Sequence, residues 1–208
     1  VRIGIRENSG RRKEAVAEGL ICISIKEAVN YCDIISILIP DQVMGDVYKA
    51  EIDPYLQDGQ TLLFSHGYNI HYKIIQPPKY VNVILSAPSG AGIELRKQYK
   101  NSGGIPGLIA VHQDYSGSSF NLVLSYSKAI GLTRLGVFKS TFREETETDL
   151  FGEQIILTGG IPKLIQSSYK VLLESGYSPV TAWFVCYYEL KSIVNLFHSK
   201  GFEFMNSA

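Results

Sequence analysis

The first half of this chain alternates short apolar runs with amphipathic stretches, and that rhythm leaves few folds open. Residues 1–5, 34–39, 61–65, 81–87 and 108–111 read as buried strands bounded by Gly, Pro, Asp or Ser. Between them, residues 12–18, 25–31, 43–48 and 70–75 carry helical spacing. Such alternation predicts a parallel sheet with crossover helices, the doubly wound α/β type, with ligands beyond the C-terminal ends of the strands. From about Ser118 the pattern changes. A strand-like segment at 134–138 is followed by long helical stretches at 148–159, 163–174 and 179–197. The expected organisation is a Rossmann-like α/β nucleotide-binding domain over residues 1–140 and an all-α domain over 141–208, with the boundary near 137–141.

Composition narrows the function classes. With 45% apolar and 19% charged residues in 208, the chain can bury a core. Twenty basic residues balance twenty acidic ones, so no global charge favours nucleic acid or an anionic membrane. The longest apolar runs, such as 34–40, are too short to span a bilayer. Cys22, Cys32 and Cys186 lack the spacing of a disulfide framework or a metal site, which fits small buried hydrophobes in a reducing compartment, cytoplasmic or an organelle matrix. The chain opens with Val1 directly on a strand pattern, and no G-x-G-x-x-G precedes it; a first strand and its glycine-rich turn are expected upstream.

Three stretches carry chemistry. In EETETDLFGEQ, Asp149 and Glu153 lie four residues apart in a helical pattern and so share a face. Two hard oxygen ligands on one side suit a divalent cation such as Mg²⁺. The alternative is a solvated acidic face, but Leu150, Phe151, Ile155, Ile156 and Leu157 lead us to expect the pair to be buried. After the first strand, the loop Arg6-Glu-Asn-Ser-Gly-Arg-Arg-Lys13 leads into a helix, where arginines and free backbone N–H groups could hold the 2′-phosphate of NADP; a solvated basic loop is the other reading. Asp41 reads as the N-cap of the helix after residue 39, and Ser65-His66-Gly67 places an imidazole at a strand end. His71, His112 and His198 have no comparable context.

Taken together, SHGYNIH, APSGAG, GGIPGLIAVHQDYSG, ETETDLFGEQ and YELKSIVNL resemble ketol-acid reductoisomerase, a Mg²⁺- and NADPH-dependent enzyme of valine and isoleucine synthesis, through essentially the whole chain. The resemblance implies a nucleotide domain joined to a knotted helical domain, both partial here. It also implies alkyl migration followed by hydride transfer on 2-acetolactate or 2-aceto-2-hydroxybutyrate. The short-form branch is indicated: a homodimer or larger homo-oligomer with active sites shared between chains, and no nucleic-acid or membrane partner. By motif, Asp149, Glu153 and Glu189 match metal carboxylates, Glu189 being supplied by the partner chain, and His66 matches the histidine near nicotinamide and substrate. Arg6, Ser9 and Arg11 align with the 2′-phosphate loop, Arg11 standing where serine is usual; Asp41, Gln42, Val43, Met44 and Gly92 align with further cofactor contacts.

Two departures fall at the chemistry. The family reads F-E-C-x-x-E-L-K where this chain has Phe184-Val185-Cys186-Tyr187-Tyr188-Glu189, so Val185 replaces a glutamate. APKGPG becomes APSGAG, so Ser89 replaces a lysine. The sequence also stops at Ala208, before helices and a substrate-contacting serine expected from the family. Two other readings therefore stay open: a non-catalytic homologue keeping fold and dimer surface, and another NADP-dependent hydroxy-acid dehydrogenase that needs no acidic pair.

Overall fold

The computed structural model describes residues 1–207, with side chains as far as Phe204, and divides into two compact units, Val1–Thr148 and Asp149–Ala208. In the first unit β1 (Ile3–Gly4), α1 (Arg12–Ala17), β2 (Cys22–Ile23) and α2 (Ile25–Tyr31) form a small βαβα lobe, with β1 and β2 paired in parallel. A reciprocal cap starts α2: the Ser24 hydroxyl accepts from the Glu27 N–H at 3.2 Å while Glu27 accepts from the Ser24 N–H at 2.9 Å. The Ser24 hydroxyl, 2.7 Å from the Glu27 carboxylate, and then the Ser24 N–H hold the Glu27 carboxyl below its ordinary pKa.

The main sheet follows: β3 (Ile34–Ile37), α3 (Asp41–Val47), β4 (Thr61–Phe64), α4 (Tyr68–His71), β5 (Asn82–Pro88), α5 (Gly92–Lys100), β6 (Gly107–Gln113), α6 (Ser119–Ala129) and β7 (Val137–Lys139). Among the described residues its strands lie in the order β3-β4-β5-β6-β7. β4 is buried on both faces, which is why it reads as an unbroken apolar run. The pleat sends Leu62 and Phe64 to one core with Val29, Met44, Ile70 and Phe142, and Leu63 to the other with Ile84, Ile109 and Val123. Each fully buried Leu or Phe contributes about 1.5–3 kcal/mol.

The structure corrects several expectations. The sheet is mixed, not wholly parallel: β6 runs antiparallel to β5, with Gly107 opposite Pro88 and Gln113 opposite Val83. After α5 the chain turns back at Ser102 (φ 60°) and re-enters at the end of the sheet it has just left. Pro40, not Asp41, is the N-cap of α3; Asp41 is its first helical residue. The helix expected at 70–75 is the shorter α4, closed by Lys73 at φ 58°. Of the strand-like 134–138 segment only Val137 and Phe138 pair, in a strand that runs on to Lys139, since Leu132–Arg134 form a 3₁₀ turn.

One end of the sheet is closed by side-chain amides. Asn82 Nδ2 donates to Gly59 O and Thr61 Oγ1, and its Oδ1 accepts from the Ser116 N–H and the Ser119 hydroxyl. Gln60 donates to Val29 O and Cys32 O, and Gln113 to Pro78 O and Val81 O. The second unit is helical where described: α7 (Phe142–Gly152) enters it and is followed by α8 (Gly160–Glu174), α9 (Pro179–Trp183), α10 (Leu190–Lys200) and α11 (Phe202–Ser207). Wide turns of π type at Glu153–Leu157 and Phe184–Tyr188 interrupt this series.

Asn82→Ala removes the buried side chain that joins Gly59 and Thr61 to Ser116 and Ser119, and should lower stability by about 1–2 kcal/mol, read as a lower urea midpoint at unchanged slope.

Candidate active site

At the C-terminal end of β4 the chain turns through Ser65, His66 and Gly67 into α4. His66 Nδ1 lies 2.9 Å from Oε1 of Glu145, a residue only 5% exposed on α7. The other oxygen of Glu145 accepts the Gly67 N–H at 2.7 Å and the Thr146 hydroxyl at 3.4 Å. Both carboxylate oxygens are therefore satisfied, as a buried acid requires. The contact fixes the orientation of the imidazole ring through Nδ1. The approach is close enough to demand glycine at 67: a Cβ there would meet Thr146 Oγ1 at 2.5 Å, Phe142 O at 2.7 Å and Glu145 Oε2 at 3.0 Å. Phe142 anchors the start of α7 edge-on against Phe64 of β4, ring centroids 6.2 Å apart.

Sequence reasoning missed Glu145. Its only local signal is a position four residues before Asp149 in the same helix. Two of the three histidines without sequence context also have places. His71 pairs with Glu147 at 3.2 Å, and His112 packs its ring on Phe142 at 5.5 Å; both line a cavity of about 560 Å³ with Lys73, Gln76 and Arg143. Partial desolvation lowers the His112 pKa from 6.5, so its neutral form is favoured in the fold. A depressed histidine contributes stability above its unfolded pKa and loses it as pH falls through the folded one. By NMR, His112 should titrate below pH 6.5, and His112→Phe should lessen the loss of stability on acidification through that range.

Among the residues expected at the cofactor, Arg6 and Arg11 are exposed and Ser9 is half-buried, in two successive turns in which Ser9 N–H donates to Arg6 O and Arg12 N–H to Ser9 O. Arg12 turns away and donates to Cys22 O at 3.1 Å. Two mobile-ended guanidiniums beside a hydroxyl are a donor set suited to a phosphate. Asp41 accepts from Asn69 Nδ2 at 2.8 Å, Gln42 and Val43 are exposed, and the Met44 side chain lies in the core, which leaves its backbone for any ligand contact. Gly92 opens α5.

In the second unit, Asp149 and Glu153 are exposed, contrary to the burial expected of them, because the neighbouring Phe151, Ile155 and Leu157 are themselves 64%, 57% and 61% exposed. Two carboxylates four residues apart are a donor chemistry that fits a Mg²⁺ sharing carboxylates with water. Glu189, also exposed, caps α10. Among the described residues, no three His, Cys, Asp or Glu side chains gather into a set that could hold a metal.

Comparison with known proteins decides the family. Residues 1–136 match the model of the acetohydroxy acid isomeroreductase NADPH-binding domain, and residues 142–208 that of the ketol-acid reductoisomerase C-terminal domain. The chain belongs to the ketol-acid reductoisomerase family. Curated ketol-acid reductoisomerases (NADP(+)) of Methanocaldococcus jannaschii and Methanococcus maripaludis are each 48% identical to it over 203 residues, 98% of this chain and 62% of the relative. The chain thus spans about 62% of these relatives' length. A solved NADH-preferring ketol-acid reductoisomerase from an uncultured archaeon superposes with a TM-score of 0.93 at 40% identity, over 98% of this chain and 63% of that one. A putative oxidoreductase from Jannaschia, 10% identical with a TM-score of 0.72 over 94% of this chain and 73% of that one, shares the fold alone. The reductoisomerase resemblance read from the motifs and the Rossmann-like and helical fold class are both upheld. Among the described residues no helix is long and apolar enough to cross a membrane.

Gly67→Ala must push α7 back from residue 67. Its His66–Glu145 contact should be lost, visible as a changed His66 titration by NMR, whereas Ser65→Ala should leave that titration in place.

Proposed function

We propose that this chain supplies the NADPH-binding part and the first metal-bearing helices of a reductoisomerase that converts 2-acetolactate or 2-aceto-2-hydroxybutyrate to 2,3-dihydroxy acids. The observation that carries this reading is the His66–Glu145 pair at the ligand end of the sheet, on a helix that continues directly into Asp149 and Glu153. NADPH, when bound, supplies hydride, and Mg²⁺ supplies Lewis acidity for the alkyl shift. The chain's own residues do the rest. Arg6, Ser9 and Arg11 would hold a 2′-phosphate, with residues 41–44 and Gly92 along the cofactor. Asp149 and Glu153 would hold the cation from one side, and Glu189 of a second copy from the other. His66, held by Glu145 through Nδ1, would exchange a proton with substrate oxygen.

Homodimerisation through the helical unit suits the exposed Val180, Trp183 and Tyr188, 65%, 42% and 61% accessible in the single chain. A domain division at residue 140 and a cytoplasmic or organelle-matrix location complete the proposal. The competing reading, a homologue that has lost catalysis, is favoured by Val185 and Ser89, both exposed where the family motif has a glutamate and a lysine. These positions are tested directly: Mg²⁺-dependent oxidation of NADPH with acetolactate should be weak and should rise with Val185→Glu and Ser89→Lys together. No rise in a folded protein would sink this account of the two departures.

Cofactor choice is tested on the chain by calorimetric titration. NADPH should bind more tightly than NADH, and Arg6→Ala with Arg11→Ala should erode that preference by at least about tenfold, the equivalent of about 1.4 kcal/mol. Equal binding of both nucleotides by the unaltered chain would overturn the phosphate assignment.

A further inference from the structure

Glu153 does more than carry a carboxylate: its backbone opens the wide turn Glu153–Leu157. The Thr158 N–H donates to Glu153 O at 2.9 Å, the Gly159 N–H donates to the same oxygen at 3.1 Å, and the Thr158 hydroxyl donates to it at 3.0 Å. One carbonyl thus gathers three donors, the first of them through the five-residue step that defines a π turn. What permits this is the absence of side chains at 159 and 160. A Cβ on Gly159 would fall on Gln154 O, and one on Gly160 on Ile155 O, both backbone atoms that cannot swing aside. The φ of Gly159 is −98°, open to any residue, so space and not conformation demands glycine there.

The same device recurs at the other carboxylate. Phe184–Tyr188 form a second wide turn, closed by the Glu189 N–H donating to Phe184 O at 3.1 Å. Glu153 begins its turn and Glu189 ends its own. In an uninterrupted α-helix Leu157 would stand one turn beyond Glu153, in line with Asp149, and would cover the carboxylate face with an isobutyl group. A turn closed by a five-residue step places Thr158, not Leu157, over the Glu153 carbonyl.

We propose that Thr158, Gly159 and Gly160 are positioning residues for Glu153: they hold open the wide turn that begins at Glu153 and fix the path of the chain beyond the pair, so that Glu153 and Asp149 can share a divalent cation. This rests on the reading of Asp149 and Glu153 as metal carboxylates, and the test separates the two.

Mn²⁺ is titrated into the chain, free ion being counted by electron paramagnetic resonance, with circular dichroism and urea unfolding followed in parallel. Gly159→Ala should weaken Mn²⁺ binding by about tenfold, the loss typical of removing a group that orients a ligand. Thr158→Val should weaken it in the same direction, and Thr158→Ser, which keeps the hydroxyl, should restore it. A purely structural role would move the urea midpoint and leave Mn²⁺ affinity alone. Wild-type affinity in Gly159→Ala and Thr158→Val, while Asp149→Asn with Glu153→Gln has lost it, overturns the positioning role and leaves the metal reading standing. Wild-type affinity in that double carboxamide overturns the metal reading itself. Should Gly159→Ala unfold the second unit, the Thr158 valine and serine variants decide by the same criterion.

Discussion

One buried carboxylate organises the ligand end of this protein. Glu145 reaches from α7 to the loop after β4 and satisfies both of its oxygens there, one on the His66 ring and one on the Gly67 N–H. Burying an acid costs several kcal/mol unless such partners are in place, so helix and loop hold one another in a single arrangement. Gly67 is the concession that allows it, since any side chain would collide with the α7 backbone. His66 is thereby held through Nδ1 at the end of β4.

The sheet was readable in the sequence because its central strands are buried on both faces and so appear as continuous apolar runs. Helix α6 was not. Its buried face is Ser119, Val123 and Ser127, and the serines are satisfied across the interface, Ser119 by Asn82 and Asp114, Ser127 by Ser86 at 2.9 Å. A face built from small hydroxyls leaves no apolar stripe for periodicity to detect. Glu145 was invisible for a different reason. Beside Glu144, Glu147 and Asp149 it reads as one more solvated acid, and only partners nearly eighty residues upstream distinguish it.

The acidic pair shows the opposite error. Apolar neighbours argued for burial, yet in the single chain Phe151, Ile155 and Leu157 face outward with the carboxylates. Apolar sequence context reports what a surface is suited to meet, and it cannot distinguish the interior of one chain from contact with another. The wide turns were equally hidden, because a pair of glycines after a helical run reads as a terminator, whereas Gly159 and Gly160 here let the chain carry a widened turn straight into α8.

The reversed direction of β6 has a geometric consequence for the whole site. Because β7 runs parallel to β6, it leaves the sheet beside Ile109, which lies opposite Ser86 of β5 and so level with the end of β4, and Ser140 is still bonded to that strand. The chain therefore enters α7 beside the end of β4, passing Phe64 with Phe142 and arriving at His66 with Glu145. The polarity of a single edge-side strand thus determines which turn of α7 meets the ligand, and an acid at that turn can become a partner for an imidazole instead of a surface charge.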